Sequence, residues 1–258
     1  MINQIEPVIT EEDIDSVNNY LKSGGWLTEH KLTKSLEENI ASYLGRKYAV
    51  AVPNGTIAIY LALKSKGIGE GNRVAVPNIT MVATINAVVW AGAQPILVDV
   101  DESLCMSLKQ LKTIDELDAV IFVPLNGRSG SGEEIEKWCS DENIVLIEDS
   151  AHALGSNYAG KKCGSLGDVS ILSFTPHKII TSGQGGLVLT DDEILYNEMY
   201  DYKSFNREKD ASDWHKGFGL NFKFTDLQAV LLLSQFNRLD KLIESKRELF
   251  SLYKNSIS

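Results

Sequence analysis

The sequence is poor in the residues that small scaffolds use as staples. Its three cysteines, Cys105, Cys139 and Cys163, are odd in number, far apart and never in a CxxC pair. They read as reduced thiols, not as a disulfide frame or a thiolate metal site. His30, His152, His177 and His215 show no metal-ligand spacing, which speaks against metal-assisted hydrolysis. No apolar run approaches membrane-spanning length. The opening MINQIEPVITEEDID is acidic and lacks an apolar core, so no secretory signal and a cytoplasmic location are expected. Basic blocks are also missing. With 25 Lys and Arg against 35 Asp and Glu, the formal net charge is -10, and nucleic acid is not an expected partner. No GxGxxG follows the first strand, which argues against a dinucleotide dehydrogenase. Internal repeats and low-complexity linkers are absent too.

What is present is an ordinary globular composition, 258 residues with 43% hydrophobic content. That is enough for one large core or two modest ones. Thr10 and the acids behind it predict a helix start, with the helix running to Leu21 and stopping at Ser23-Gly24-Gly25. Apolar spacing predicts a second helix over 34–44. Short β-rich runs follow at 48–52, 73–77, 94–98, 119–123, 144–147 and 169–174, with 187–189 resuming the pattern. Helical patterns separate most of them, at 57–64, around 86–91 and at 133–140. After them, 191–200 reads as a helix, 205–219 as loop, 227–239 as an apolar helix and 240–251 as its charged continuation. Alternating strands and helices predict an α/β fold, a mainly parallel sheet covered on both faces.

Ligands in such sheets sit beyond the carboxyl ends of the strands. Asn54-Gly55-Thr56, Asn126, Asp149 and Ser173 to Lys178 all fall at those predicted ends. The stretch DVSILSFTPHKIITSGQGGLVLT, residues 168–190, is the most informative. It reads as strand, lysine, glycine turn, strand, and so holds Lys178 on a stiff support. That placement suits an amine nucleophile whose pKa is lowered by its surroundings; an ordinary solvated lysine at a strand end is the plainer alternative. Strand, Asn-Gly-Thr, helix is a geometry that offers backbone N–H groups and a hydroxyl to a phosphate, or simply an N-cap. Asp149 is either a buried functional acid or the cap of a following helix.

Taken together these residues match the needs of one cofactor, pyridoxal 5'-phosphate (PLP). Its aldehyde needs a lysine (Lys178), its ring nitrogen a carboxylate (Asp149), and its phosphate a helix start with hydroxyls (Gly55, Thr56 and Ser173).

Ordered motifs carry a resemblance. GGWLT at 24–28, NGTIAIYLAL at 54–63, GIGEGNRVAVPNITMVATINAV at 67–88, AGAQPILVDVD, VLIEDSAHALGS, SFTPHKIITSGQGGLVLTDD and GLNFKFTDLQA follow one another with the family's spacing. The sequence resembles the DegT/DnrJ/EryC1/StrS sugar-nucleotide aminotransferases, PLP enzymes of the aspartate aminotransferase-like fold type I. The resemblance implies a three-layer α/β/α large domain over 1–235 with a mainly parallel mixed sheet. It implies that 236–258 form a helix leading toward a small C-terminal domain, which is expected to be absent from this chain.

It further implies that Lys178 bonds the cofactor and shuttles the proton, and that Asp149 partners the ring nitrogen. Gly55, Thr56 and Ser173 would hold the phosphate, His152 would contact the ring hydroxyl or face, and Met81 would lie on the ring. Asn221 would reach the phosphate of the partner subunit's cofactor, which makes the active unit a homodimer. Trp26 and Lys223 would face substrate. The implied reaction moves an amino group from L-glutamate to a keto-deoxysugar nucleotide for polysaccharide or glycan synthesis. Departures from the family pattern are Met81 for an aromatic, Pro124 and Asn126 for His and Tyr, His152 for Gln, and Lys223 for Arg. Two alternatives stand beside this reading. One is a sugar dehydratase on the same scaffold, with His177 in the lysine's role. The other is a catalytically silent shortened homologue.

Overall fold

The computed structural model describes residues 6–208 and 213–256. Its elements run in order as α1 (Glu11–Lys22), α2 (Lys31–Leu44), β1 (Tyr48–Val52), α3 (Gly55–Ser65), β2 (Arg73–Pro77), α4 (Ala83–Ala91), β3 (Gln94–Val98) and α5 (Leu108–Leu111). Then come β4 (Ala119–Phe122), α6 (Gly132–Asp141), β5 (Val145–Asp149), β6 (Val169–Ser173), β7 (Gly186–Thr190), α7 (Glu193–Lys203), α8 (Asp226–Phe236) and α9 (Leu239–Ser256). Among the described residues the strands form one sheet in the order β1-β7-β6-β5-β4-β2-β3. Strand β7 runs antiparallel to both its neighbours, and every other pair is parallel. Strands β1 to β6 therefore point one way, and their carboxyl ends share one edge of the sheet.

Alternation along the strands feeds two apolar layers. Val50, Val52, Ala119, Ile121, Ile171 and Val188 face α3, α4 and α7. Ala49, Ala51, Leu172, Leu187 and Leu189 face α2 and α8, while Val120, Phe122 and Leu146 pack with Ile135 and Cys139 of α6. This is the expected three-layer α/β/α arrangement, and helices on both faces are what a buried parallel sheet requires. Among the described residues no helix is long and apolar enough to cross a membrane.

Four elements depart from the sequence expectation. Helix α2 begins at Lys31, three residues early, because its first N–H groups are capped from a distance. Asp226 Oδ1 accepts from His30 N (2.8 Å), Thr33 N (2.9 Å) and Thr33 Oγ1 (2.8 Å), and Oδ2 accepts from Leu32 N (3.0 Å). The apolar run read as one helix over 227–239 breaks after Phe236. There Arg238 turns to bond Asp13 Oδ2 at 2.6 Å, and α9 starts afresh at Leu239. Helix α7 continues past Tyr200 to Lys203, which is fully buried. Its ammonium lies 3.0 Å from Glu29 and 3.5 Å from Glu37 and donates to the Ala51 carbonyl at 2.9 Å. The short helix α5 was not expected at all.

Burial alone would raise the Asp226 carboxyl, but the backbone donors of Leu32, Thr33 and His30 outweigh it and hold it below the ordinary carboxylate value. A depressed folded pKa stabilises the fold above the unfolded pKa and is lost as pH falls through the folded one. Asp226→Ala leaves four donors of α2 unmet, so it should cost about 3 kcal/mol in urea unfolding at pH 7. The gap to the wild type should narrow below about pH 4. A gap that does not change between pH 7 and pH 3 would rule out the charged cap.

Candidate active site

The shared edge of strand ends opens into a cleft of about 290 Å³. Four segments build most of it, with Val123 contributed from the end of β4. Residues Asn54, Gly55 and Thr56 enter from the start of α3, and Thr80, Met81, Ala83 and Thr84 from the start of α4. Asp149, Ala151 and His152 come from the end of β5, and Ser173, Thr175, Lys178 and Gln184 from the segment between β6 and β7. A larger groove of about 1090 Å³ lies against α9 and Tyr43, but it holds none of the expected site residues.

The corner at the start of α3 is built by close packing. Asn54 caps α3 by accepting from Ile57 N at 3.0 Å, which leaves the N–H groups of Gly55 and Thr56 at the positive end of the helix. A Cβ on Gly55 would come within 2.9 Å of Ser173 Cβ, and one on Gly186 within 2.6 Å of the Asn54 carbonyl. Glycine at these two places lets the helix start, Ser173 and the glycine turn converge.

Asp149 is 5% exposed at the end of β5. Its Oδ2 accepts from Thr84 Oγ1 at 2.8 Å and its Oδ1 from Ala151 N at 3.2 Å. Burial pushes this carboxyl above its ordinary pKa, opposed by those two donors and by the charges of His152 and Lys178. Lys178 is half-buried. Burial moves its amine below the ordinary lysine value, while the Asp149 charge pulls the other way. His152 is likewise lowered by burial and by Lys178, against Asp149. Its Nδ1 is buried with no hydrogen-bond partner among the described residues.

The cleft thus brings together Gly55, Thr56, Met81, Asp149, His152, Ser173 and Lys178. Met81 lies in the cleft wall, and its Sδ accepts from Ala83 N at 3.0 Å, near the first turn of α4. Trp26, Asn221 and Lys223 are exposed and lie outside this cleft. So does Asn126, which sits in a short 3-10 turn with a left-handed backbone (φ 52). His177, next to Lys178, is exposed and does not line the cleft. Sequence reasoning missed Thr80, Thr84 and Gln184. The only signal for the two threonines was their i, i+4 spacing in the apolar run TMVATINAV.

The DegT/DnrJ/EryC1/StrS aminotransferase family model matches residues 7–258. The chain belongs to this family. GDP-perosamine synthase of Escherichia coli O157:H7 is 36% identical over 256 residues, which cover 98% of this chain and 70% of that protein. UDP-4-amino-4,6-dideoxy-N-acetyl-beta-L-altrosamine transaminase of Campylobacter jejuni is 33% identical over 261 residues, covering 98% of this chain and 69% of that one. The aminotransferase TlmJ from Streptoalloteichus hindustanus superposes with a TM-score of 0.95 at 29% identity, covering all of this chain and 71% of that structure. The chain thus spans about seven-tenths of the length of these relatives. The fold is that of type I PLP enzymes, and PLP is the family's cofactor.

The residues fit that cofactor. A buried carboxylate is relieved by a cation placed against it, as a protonated ring nitrogen would be. The orphaned His152 Nδ1 would offer a partner to a ring oxygen, and the first N–H groups of α3 with the Ser173 hydroxyl would receive a phosphate. The electrostatics also yield a test. An amine with a lowered pKa becomes a free base at lower pH, so PLP uptake should rise with pH and level off below the ordinary lysine range. Asp149→Asn removes the charge that raises Lys178, so the uptake profile should shift to still lower pH. A stopped-flow absorbance series showing a shift to higher pH would contradict the coupling.

Proposed function

We propose that the chain moves an amino group from L-glutamate to the keto carbon of a nucleotide-linked deoxysugar, with PLP held at Lys178. The single observation that carries this is the convergence of a half-buried lysine, a buried carboxylate and a glycine-opened helix start in one cleft. Bound PLP supplies an aldehyde that carries the amino group and a ring that accepts electrons when a proton leaves carbon. Lys178 Nζ bonds the cofactor at rest and, once displaced, moves that proton as base and then as acid. Asp149 keeps a proton on the ring nitrogen. Gly55, Thr56 and Ser173 would bind the phosphate, His152 Nδ1 would meet the ring hydroxyl, and Met81 would pack its polarisable thioether on the ring.

Residues 1–235 form the PLP-binding unit in this reading, and 236–258 lead out of it. Trp26 and Lys223 contact substrate, and Asn221 reaches the cofactor of a second subunit. Their exposure outside the chain's own cleft supports a homodimer with shared sites. The perosamine synthase and altrosamine transaminase relatives support a sugar nucleotide as acceptor, and with it a place in polysaccharide or glycan synthesis. The dehydratase alternative loses ground because His177 is exposed while Lys178 lines the cleft.

With PLP and L-glutamate, the purified chain should release 2-oxoglutarate and leave pyridoxamine phosphate. Lys178→Ala should lower that rate at least about a hundredfold, and Asp149→Ala should lower it far more than it lowers cofactor occupancy. Transfer that survives in Lys178→Ala would refute the assignment. Light scattering should give twice the chain mass, and a monomer that is fully active would refute the shared site.

A further inference from the structure

The floor of the cleft holds a row of hydroxyls that the mechanism above does not use. Thr84 Oγ1 lies 2.8 Å from Asp149 Oδ2, and Thr80 Oγ1 lies 3.2 Å from Thr84 Oγ1. Thr84 is fully buried in the first turn of α4, while Thr80 is half-buried at the cleft wall. An ionised carboxylate can only accept, so the Thr84 hydroxyl must donate to Asp149. Its own oxygen is then left to accept from Thr80. The row has one direction, from the cleft wall inward to the carboxylate.

Its placement is fixed from the backbone. Thr84 N donates to the Met81 carbonyl at 3.1 Å, and Asn86 N to the Val82 carbonyl at 2.9 Å, so the helix turn that carries the hydroxyl is formed. A helical threonine can instead turn its hydroxyl back to a carbonyl of the preceding turn; here it faces Asp149. The positive end of α4 is beside the same carboxylate and favours its charge. The other donor is Ala151 N, on the opposite oxygen at 3.2 Å. The remaining charges facing Asp149 are Lys178 and His152.

We propose that Thr84 is a positioning residue for Asp149. Its hydroxyl, oriented by Thr80, aims the carboxylate and keeps it ionised against the cofactor's ring nitrogen. The inference rests on the PLP reading and adds to it the group that sets where the shared proton lies. Without the Thr84 donor the carboxylate holds a proton more strongly, and the ring nitrogen yields its own. Electron demand at the ring then falls, although Lys178 and the phosphate cradle are untouched.

The test uses pyridoxamine phosphate labelled with 15N in the ring, which has no aldehyde and so cannot bond Lys178. The wild type and Thr84→Ser should both show the resonance of a protonated ring nitrogen. Thr84→Val, nearly isosteric but without the hydroxyl, should move it toward neutral pyridine. Loss of one hydrogen bond to a charged group should also weaken cofactor binding about tenfold. In full turnover kcat should fall by a similar factor, with KM for glutamate within about twofold. Thr80→Val should shift the resonance the same way by less, and it carries the test if circular dichroism shows Thr84→Val unfolded. Identical resonance and affinity in the valine variants and wild type would overturn the role of Thr84 alone. A folded wild type that takes up no cofactor would overturn the PLP reading and this inference with it.

Discussion

The carboxyl of Asp149, at the end of the central strand β5, lies almost out of reach of water, and burial works against its charge. Everything around Asp149 answers that constraint. A hydroxyl from α4 and a backbone N–H from its own turn approach its two oxygens, and an amine and an imidazole stand within electrostatic reach. Isolated buried charge is expensive, and it persists where donors and opposite charge are assembled around it. The parallel sheet makes that assembly possible, because six strands bring their carboxyl ends to one edge. The antiparallel β7 returns the glycine turn to the same place, with Gly186 paired to both Val52 and Ser173.

The segments expected to serve substrate and a second subunit are fixed by buried charge of another kind. Lys203 ties Glu29 and Glu37 to the β1 carbonyl of Ala51, and Glu29 also accepts from Phe224 N at 3.2 Å. Asp226 joins the start of α8 to the start of α2. Residues 26–30 and 221–226 are therefore held together, although neither faces the chain's own cleft. Removing one member of such a cluster leaves an uncompensated charge, typically a loss of about 3–5 kcal/mol. These surface segments are thus anchored to the buried body of the fold.

Much of this was legible in the sequence because the signals are local. Short apolar, β-rich runs placed the seven strands to within two residues at either end, and strand-end position gathered Gly55, Asp149, Ser173 and Lys178 together with Asn126, which lies outside the cleft. What escaped has distant causes. The start of α2 depends on Asp226, nearly two hundred residues away. The break between α8 and α9 coincides with Arg238 reaching Asp13. Lys203 looks like a solvated helix end until Glu29 and Glu37 close around it. Thr84 looks like a helix residue of no consequence until β5 is placed beside α4. Each needs a contact that no window of neighbouring residues contains.

The central claim is that Lys178 is the amine that captures the cofactor. The most direct measurement is borohydride reduction of the chain incubated with PLP, followed by peptide mass mapping. The account predicts one phosphopyridoxyl group per chain, on Lys178. A folded chain with no adduct, or with the adduct spread over surface lysines, would contradict it.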